Sequence, residues 1–227
     1  MLVLFDVDGT LADTALLGRG IYERTFQAVF GASLPSTDWD TYLHETDRGV
    51  AEEALGRLGL APGGLLEFER RLSEEMRREL SAGRVEPVPG AREAFAVVEA
   101  AGHQAAVATG AYEASARVKL AAAGIFLGDR SLVGSGFSNE RVAIIREARR
   151  RAGGVGPAVY VGDGPWDLRA ARAADVGFLG VDPRGSGRLA AAGAPLVLAS
   201  LADGERLLSA LETAARTCCE QRPSRAR

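Results

Sequence analysis

Met1-Leu-Val-Leu-Phe5-Asp6-Val7-Asp8-Gly9-Thr10-Leu11-Ala12-Asp13 is the stretch around which the rest of the chain is organised. Leu2 to Phe5 form a short apolar run, which suits a strand covered on both faces. Asp6 and Asp8 follow at once, and carboxylates at alternate positions off a strand end point the same way. Gly9 then allows a sharp turn. In open α/β sheets, ligands bind in the crevice beyond the carboxyl ends of the strands. Two acids placed there repel each other unless a cation or a proton sits between them. On these residues alone a second reading stays open, a polar turn with a helix cap.

With 227 residues the chain can hold one large domain, or a core with a smaller insert. A hydrophobic content of 47% is ample for a packed interior, and a formal charge of −3 offers no basic field for nucleic acid. The first apolar run stops at Asp6, too early for a signal peptide, and no stretch is long and apolar enough for a membrane span. The two cysteines are the neighbours Cys218 and Cys219 in a polar tail, not a disulfide framework, so a reducing cytoplasm is the expected setting. Lys119 is the only lysine, so lysine chemistry has one possible position.

Residues 14–86 read as helical without a clear strand. Leu17, Ile21, Phe26, Val29 and Phe30 lie on one stripe that Gly31 ends. A second segment runs from about Asp38 to Leu58. A third carries Leu65, Phe68, Leu72, Met76 and Leu80 at helical spacing, and Gly83 with Pro87-Val88-Pro89-Gly90 marks a boundary. Beyond it strands and helices alternate, which predicts a parallel sheet. Helices are expected at Ala91–Ala101, Tyr112–Ala123, Glu140–Ala152, Leu168–Ala174 and Leu201–Ala215. Strands are expected at Gln104–Ala108, Ala158–Val161, Phe178–Val181 and Leu196–Leu198. The end of the chain, residues 217–227, reads as a disordered tail.

Two further stretches carry chemistry. Val107-Ala108-Thr109-Gly110 puts a hydroxyl and free backbone N–H groups at a strand end, a setting suited to a phosphate oxygen. Thr109 can equally cap the helix that follows. Val159-Tyr160-Val161-Gly162-Asp163-Gly164-Pro165-Trp166-Asp167 puts two acids just beyond a buried strand, oxygen ligands of the kind Mg²⁺ takes. Asp167 can also be the N-cap of the next helix.

Asp6-Val7-Asp8-Gly9-Thr10-Leu11 followed by Asp13-Thr14 resembles the first motif of the haloacid dehalogenase superfamily, and Gly162-Asp163 through Asp167 resembles its metal motif. Most members are magnesium-dependent phosphatases, and the resemblance extends over essentially the whole chain. It implies an α/β fold: a Rossmann-like parallel-sheet core, residues 1–13 and 88–216, with an inserted all-helical cap, residues 14–87, as in the phosphoglycolate phosphatase-like branch. A cap would close over the site and exclude water other than the attacking one.

Residue by residue, the resemblance implies Asp6 as nucleophile and Asp8 as acid/base. Thr109 and Gly110 would bind phosphate. Mg²⁺ would be held by Asp6, the Asp8 backbone carbonyl and Asp163, with Asp167 acting directly or through water. The departure is at the third motif, where relatives commonly place a lysine. Here the segment before Gly162 offers Arg141, which keeps its charge and can grip phosphate in bidentate fashion. Lys119 is the second choice, and its helix pattern also fits a surface lysine. Thr46, Asp47 and Arg48 form a candidate specificity loop, or else an ordinary helix start. The partner implied is a small phosphorylated metabolite. Asp8 argues against a dehalogenase, which has no use for a second Asp as acid/base. A cap without lysine argues against phosphonoacetaldehyde hydrolysis. Phosphomutases carry a cap histidine shortly after the first motif, whereas His44 lies well downstream. A phosphate-binding protein without turnover stays open because of the third motif.

Overall fold

The computed structural model describes residues 1–81 and 85–220. Six parallel strands form one sheet: β1 (Leu2–Phe5), β2 (Gln104–Ala108), β3 (Leu132–Val133), β4 (Ala158–Gly162), β5 (Gly177–Val181) and β6 (Val197–Leu198), in the order β3-β2-β1-β4-β5-β6. The apolar run that opens the chain is thus the central strand, buried along its whole length. Alternate side chains serve two separate cores, as the period of two requires. Val3 and Phe5 pack with α4 (Ala91–Ala100), α5 (Glu113–Ala122) and α9 (Gly204–Glu220). Leu2 and Leu4 pack with α6 (Arg141–Arg151), α7 (Pro165–Ala174) and α8 (Arg188–Ala191). The result is a three-layer α/β/α core.

Between β1 and α4 lies an all-helical insert: α1 (Ala15–Phe30), a single 3₁₀ turn (Trp39–Thr41), α2 (Asp47–Arg57) and α3 (Leu65–Ser81). Its core is aromatic. Phe68 meets Tyr22, Phe26 and Phe30 at centroid distances of 5.0–5.9 Å, and reaches Tyr112 beside the sheet at 6.4 Å. The α3 stripe is buried at Phe68, Leu72, Met76 and Leu80. Gly31 closes α1 in the left-handed region at φ 70°. Leu17, read as part of the α1 stripe, is 46% exposed, because the inward face runs through Gly18, Ile21, Tyr22, Thr25 and Phe26. Two chain segments join insert to sheet side by side: Asp13 N–H donates to the Glu86 carbonyl and Val88 N–H to that of Leu11.

Several boundaries differ from expectation. The second helical segment is a 3₁₀ turn and a separate helix. The last helix starts at Gly204 and runs to Glu220, four residues into the expected tail, and residues 221–227 fall outside the described residues, as does the Gly83 boundary. β3 and α8 are too short for periodicity to reveal. Helix α7 begins at Pro165, so Asp167 is not its N-cap. It is the third helical residue, and its carboxylate accepts from the Gly164 N–H at 3.0 Å.

Candidate active site

Sheet register builds the site. Phe5 pairs with both Val107 and Val161, so three strands end level. The residues beyond those ends, Asp6, Thr109 and Asp163, therefore share one edge. Oxygens of Asp6, Asp163 and Asp167 all lie within 4.8 Å of one another. The approach is close enough to dictate glycine: a Cβ on Gly9, at φ 77°, would sit 2.1 Å from Asp163 Oδ2. The edge opens into a cleft of about 650 Å³, walled on one side by α1 and Trp39 of the insert.

Two cations flank the acids from opposite sides. Arg141, from the start of α6, puts Nη1 3.0 Å from Asp167 Oδ1 and 3.4 Å from Asp6 Oδ1. Its Nη2 donates to the Glu45 carbonyl at 2.8 Å, and its Nη1 donates to the Tyr160 hydroxyl at 3.3 Å. A Cβ on Gly110 would lie 2.3 Å from Nη2, so the guanidinium passes directly over that glycine. Lys119, from α5, donates to Asp8 Oδ2 at 2.7 Å, and the Thr14 hydroxyl donates to Asp8 Oδ1 at 2.5 Å. The Asp8 side chain is thus engaged by Lys119 and Thr14 and is not one of the three converging acids.

Crowding and burial favour the protonated form of these acids. Burial, then the Asp167 charge, pushes Asp6 up to about 7, with Arg141 pulling the other way. Burial, then Asp167 and Asp6, raises Asp163 well above the usual carboxylate range. Burial also raises Asp167, against Arg141. Burial disfavours the Lys119 ammonium, but the facing Asp8 and Asp47 carboxylates outweigh it and raise the group overall. Three oxygen donors that repel one another this closely are a fitting donor set for a hard divalent cation.

The family follows from the sequence that builds this edge, since the model of the haloacid dehalogenase-like hydrolases matches residues 1–175. The chain belongs to the haloacid dehalogenase-like hydrolase family. No curated protein sequence matches it significantly. Among solved structures it is similar to CbbY from Rhodobacter sphaeroides in complex with phosphate: 26% identity, TM-score 0.71, 93% of this chain and 98% of that one. A predicted phosphoglycolate phosphatase from Haemophilus somnus shares the fold at 20% identity and TM-score 0.65, over 91% and 97% of the two chains. A putative β-phosphoglucomutase from Thermotoga maritima does so at 22% identity and TM-score 0.60, over 92% and 98%.

Within this haloacid dehalogenase-like site, both bases that competed for the third-motif position are present. Arg141 stands beside Asp6. Lys119 is not the surface lysine its helix pattern allows: it is 3% exposed and reaches Asp8 from α5. The Thr109 hydroxyl accepts from the Ala111 N–H at 3.2 Å and lies beside Asp6, whose carboxylate it helps stabilise. Thr46 and Arg48 do not line the cleft. Thr46 caps α2 by accepting from the Gly49 N–H, while Arg48 turns to Glu52 at 2.7 Å. Asp47 does line it, buried, with its carboxylate accepting from the Tyr112 N–H at 3.0 Å. The segment is therefore a helix start, not a free loop. Sequence reading missed Tyr160, whose hydroxyl lies 3.2 Å from Asp167 and 3.0 Å from the Ala108 carbonyl. A tyrosine inside an otherwise aliphatic strand was the available signal. It also missed Glu45 and Arg19, which only the packing of the insert brings to the cleft.

Proposed function

We propose that the protein is a Mg²⁺-dependent phosphatase that hydrolyses phosphate monoesters of small metabolites through an aspartyl phosphate on Asp6. One observation carries this reading: Asp6, Asp163 and Asp167 converge at one strand edge beside Arg141 and Thr109, while Asp8 is held separately by Lys119 and Thr14. A divalent cation bound there would screen the repulsion between nucleophile and phosphate. Asp6, Asp163 and Asp167, with the Asp8 carbonyl, are the groups that would hold it. Asp6 attacks phosphorus in line. Asp8 gives its proton to the leaving alcohol, then takes one from the water that attacks the acyl phosphate. Thr109, the Gly110 backbone and Arg141 receive the phosphate oxygens.

Residues 14–87 act as the cap. Three ties support a closed arrangement: Arg141 to the Glu45 carbonyl, the Thr46 hydroxyl to the Asn139 carbonyl at 2.9 Å, and the Asp47 N–H to the Gly110 carbonyl at 2.8 Å. His44 is not among the residues lining the cleft, which keeps the phosphomutase reading low, below that of a binding protein. The test is Mg²⁺-dependent phosphate release from p-nitrophenyl phosphate, abolished by Asp6→Asn. Thermal stabilisation by many phosphate esters with no turnover of any would instead make the protein a binding module.

A further inference from the structure

Five cations line the cleft: Arg19, Lys119, Arg141, Arg184 and Arg188. Four are already matched with carboxylates. Lys119 faces Asp8, Arg141 faces Asp6 and Asp167, Arg184 faces Asp13, and Arg188 faces Asp40. Among the described residues Arg19 makes no ion pair. Its guanidinium lies over the Trp39 ring, 6.0 Å from the centroid. Trp39 is in turn packed edge-on against the buried Tyr22, with centroids 5.1 Å apart. A half-buried guanidinium resting on a fixed aromatic face keeps its donor edge available and loses little freedom when an anion arrives.

Position narrows what that anion is. Arg19 belongs to α1, the wall next to the acid/base. Thr14, just before α1, holds Asp8. Gly18, one turn on, faces Lys119: a Cβ there would stand 3.6 Å from the ammonium. Arg19 is the next residue, and it lines the same cleft. A leaving group protonated by Asp8 departs along this wall, away from the Arg141 side where phosphoryl oxygens bind. A neutral leaving group has no use for an unmatched guanidinium there. A carboxylate or second phosphate does, because the planar fork fits either.

We propose that Arg19 is a specificity-determining residue, and that the substrates are phosphate monoesters carrying a second anionic group on the leaving-group side. The inference rests on the phosphatase reading above. The experiment compares kcat/KM for phosphoglycolate and for hydroxyethyl phosphate, which differ in the carboxylate. A second pair, a propanediol bisphosphate against its monophosphate, distinguishes a second phosphate from a carboxylate. The wild-type enzyme prefers the anionic member of at least one pair by about ten- to a hundredfold, the scale of a charge-assisted hydrogen bond. Arg19→Ala brings that ratio close to one, mostly through KM, and Arg19→Lys restores part of it. A wild-type ratio near one in both pairs, or a ratio that Arg19→Ala leaves unchanged, overturns the inference while hydrolysis of p-nitrophenyl phosphate still upholds the phosphatase reading. If nothing is turned over, calorimetry with phosphonopropionate against propylphosphonate decides the point separately. Tighter binding of the carboxylate form that Arg19→Ala removes supports the inference, and equal binding of the two overturns it.

Discussion

Lys119 Nζ lies 2.7 Å from Asp8 Oδ2, joining the middle of α5 to the loop beyond the central strand. The lysine side chain is 4% exposed and the aspartate 26%. Removing the amine leaves a carboxylate facing Asp6 and Asp47 without its counter-ion. Lys119→Met is expected to cost about 3 kcal/mol, the lower end for breaking a buried pair, because water still reaches Asp8. The companion change Asp8→Asn in the same chain is expected to recover part of that loss. Urea denaturation of both single variants and the double variant measures the coupling. Strictly additive losses would show that the pair does not act as one.

Asp47 gives the pH dependence. Burial raises it from 3.8 to about 6, with Lys119 opposing. The folded state therefore holds this proton more tightly than the unfolded state does. The resulting stability is complete below pH 3.8 and is lost as pH rises through about 6, after which it is flat. The change amounts to about 3 kcal/mol to order of magnitude. Asp47→Asn keeps an oxygen to accept from the Tyr112 N–H, so the wild type should lose stability relative to this variant across that window. Parallel stability curves for the two proteins would contradict it.

Two glycines test the close approaches. Gly9→Ala meets Asp163 Oδ2 and a positive φ together, so both stability and divalent-ion affinity should fall. Gly110→Ala meets chiefly the end of the Arg141 side chain, which can move, with the Glu45 carbonyl oxygen at 3.1 Å beside it. It should lose less stability than Gly9→Ala and bind phosphate more weakly. Gly102→Ala, at φ 75° with open space around its Cβ position, carries backbone strain of about 1–2 kcal/mol and no loss at the site. Inorganic phosphate and Mg²⁺ titrations on the three variants separate these effects.

Metal addition has a predicted sign. The three-acid group repels itself whenever it is ionised, so Mg²⁺ at a hundredfold over its Kd should add about 2.7 kcal/mol. In a chain of this size that is roughly 5–10 °C in Tm. Asp163→Asn should remove most of the increment. An equal rise in both proteins would place the ion elsewhere.

What could be read in advance follows from how local each feature is. The central strand, the acids beyond it and the second acid pair at Asp163 and Asp167 are encoded within a few residues each, and the parallel sheet fixes how they meet. The α3 stripe was readable because its period is regular over four turns. Lys119 is legible only as a second choice, because a lysine on an amphipathic helix reads as solvent-facing unless Gly18 opposite it is known to leave room. Thr46 to Arg48 stays open in the sequence for a related reason: a helix N-terminus and a binding loop share Thr, Asp and Gly, and only the Asp47 contact with Tyr112 shows what the segment packs against. The N-cap alternative for Asp167 depends on reading Pro165 as loop, whereas Pro165 is the first helical residue.

The most direct measurement is chemical trapping of the acyl phosphate. The enzyme is mixed rapidly with Mg²⁺ and p-nitrophenyl phosphate and reduced with borohydride, which converts an aspartyl phosphate to the alcohol, and residue 6 is read by peptide mass spectrometry. The expected result is homoserine at position 6, formed only with substrate and Mg²⁺ together. Turnover without modification at Asp6, or modification at Asp8 or Asp163 instead, would contradict the account.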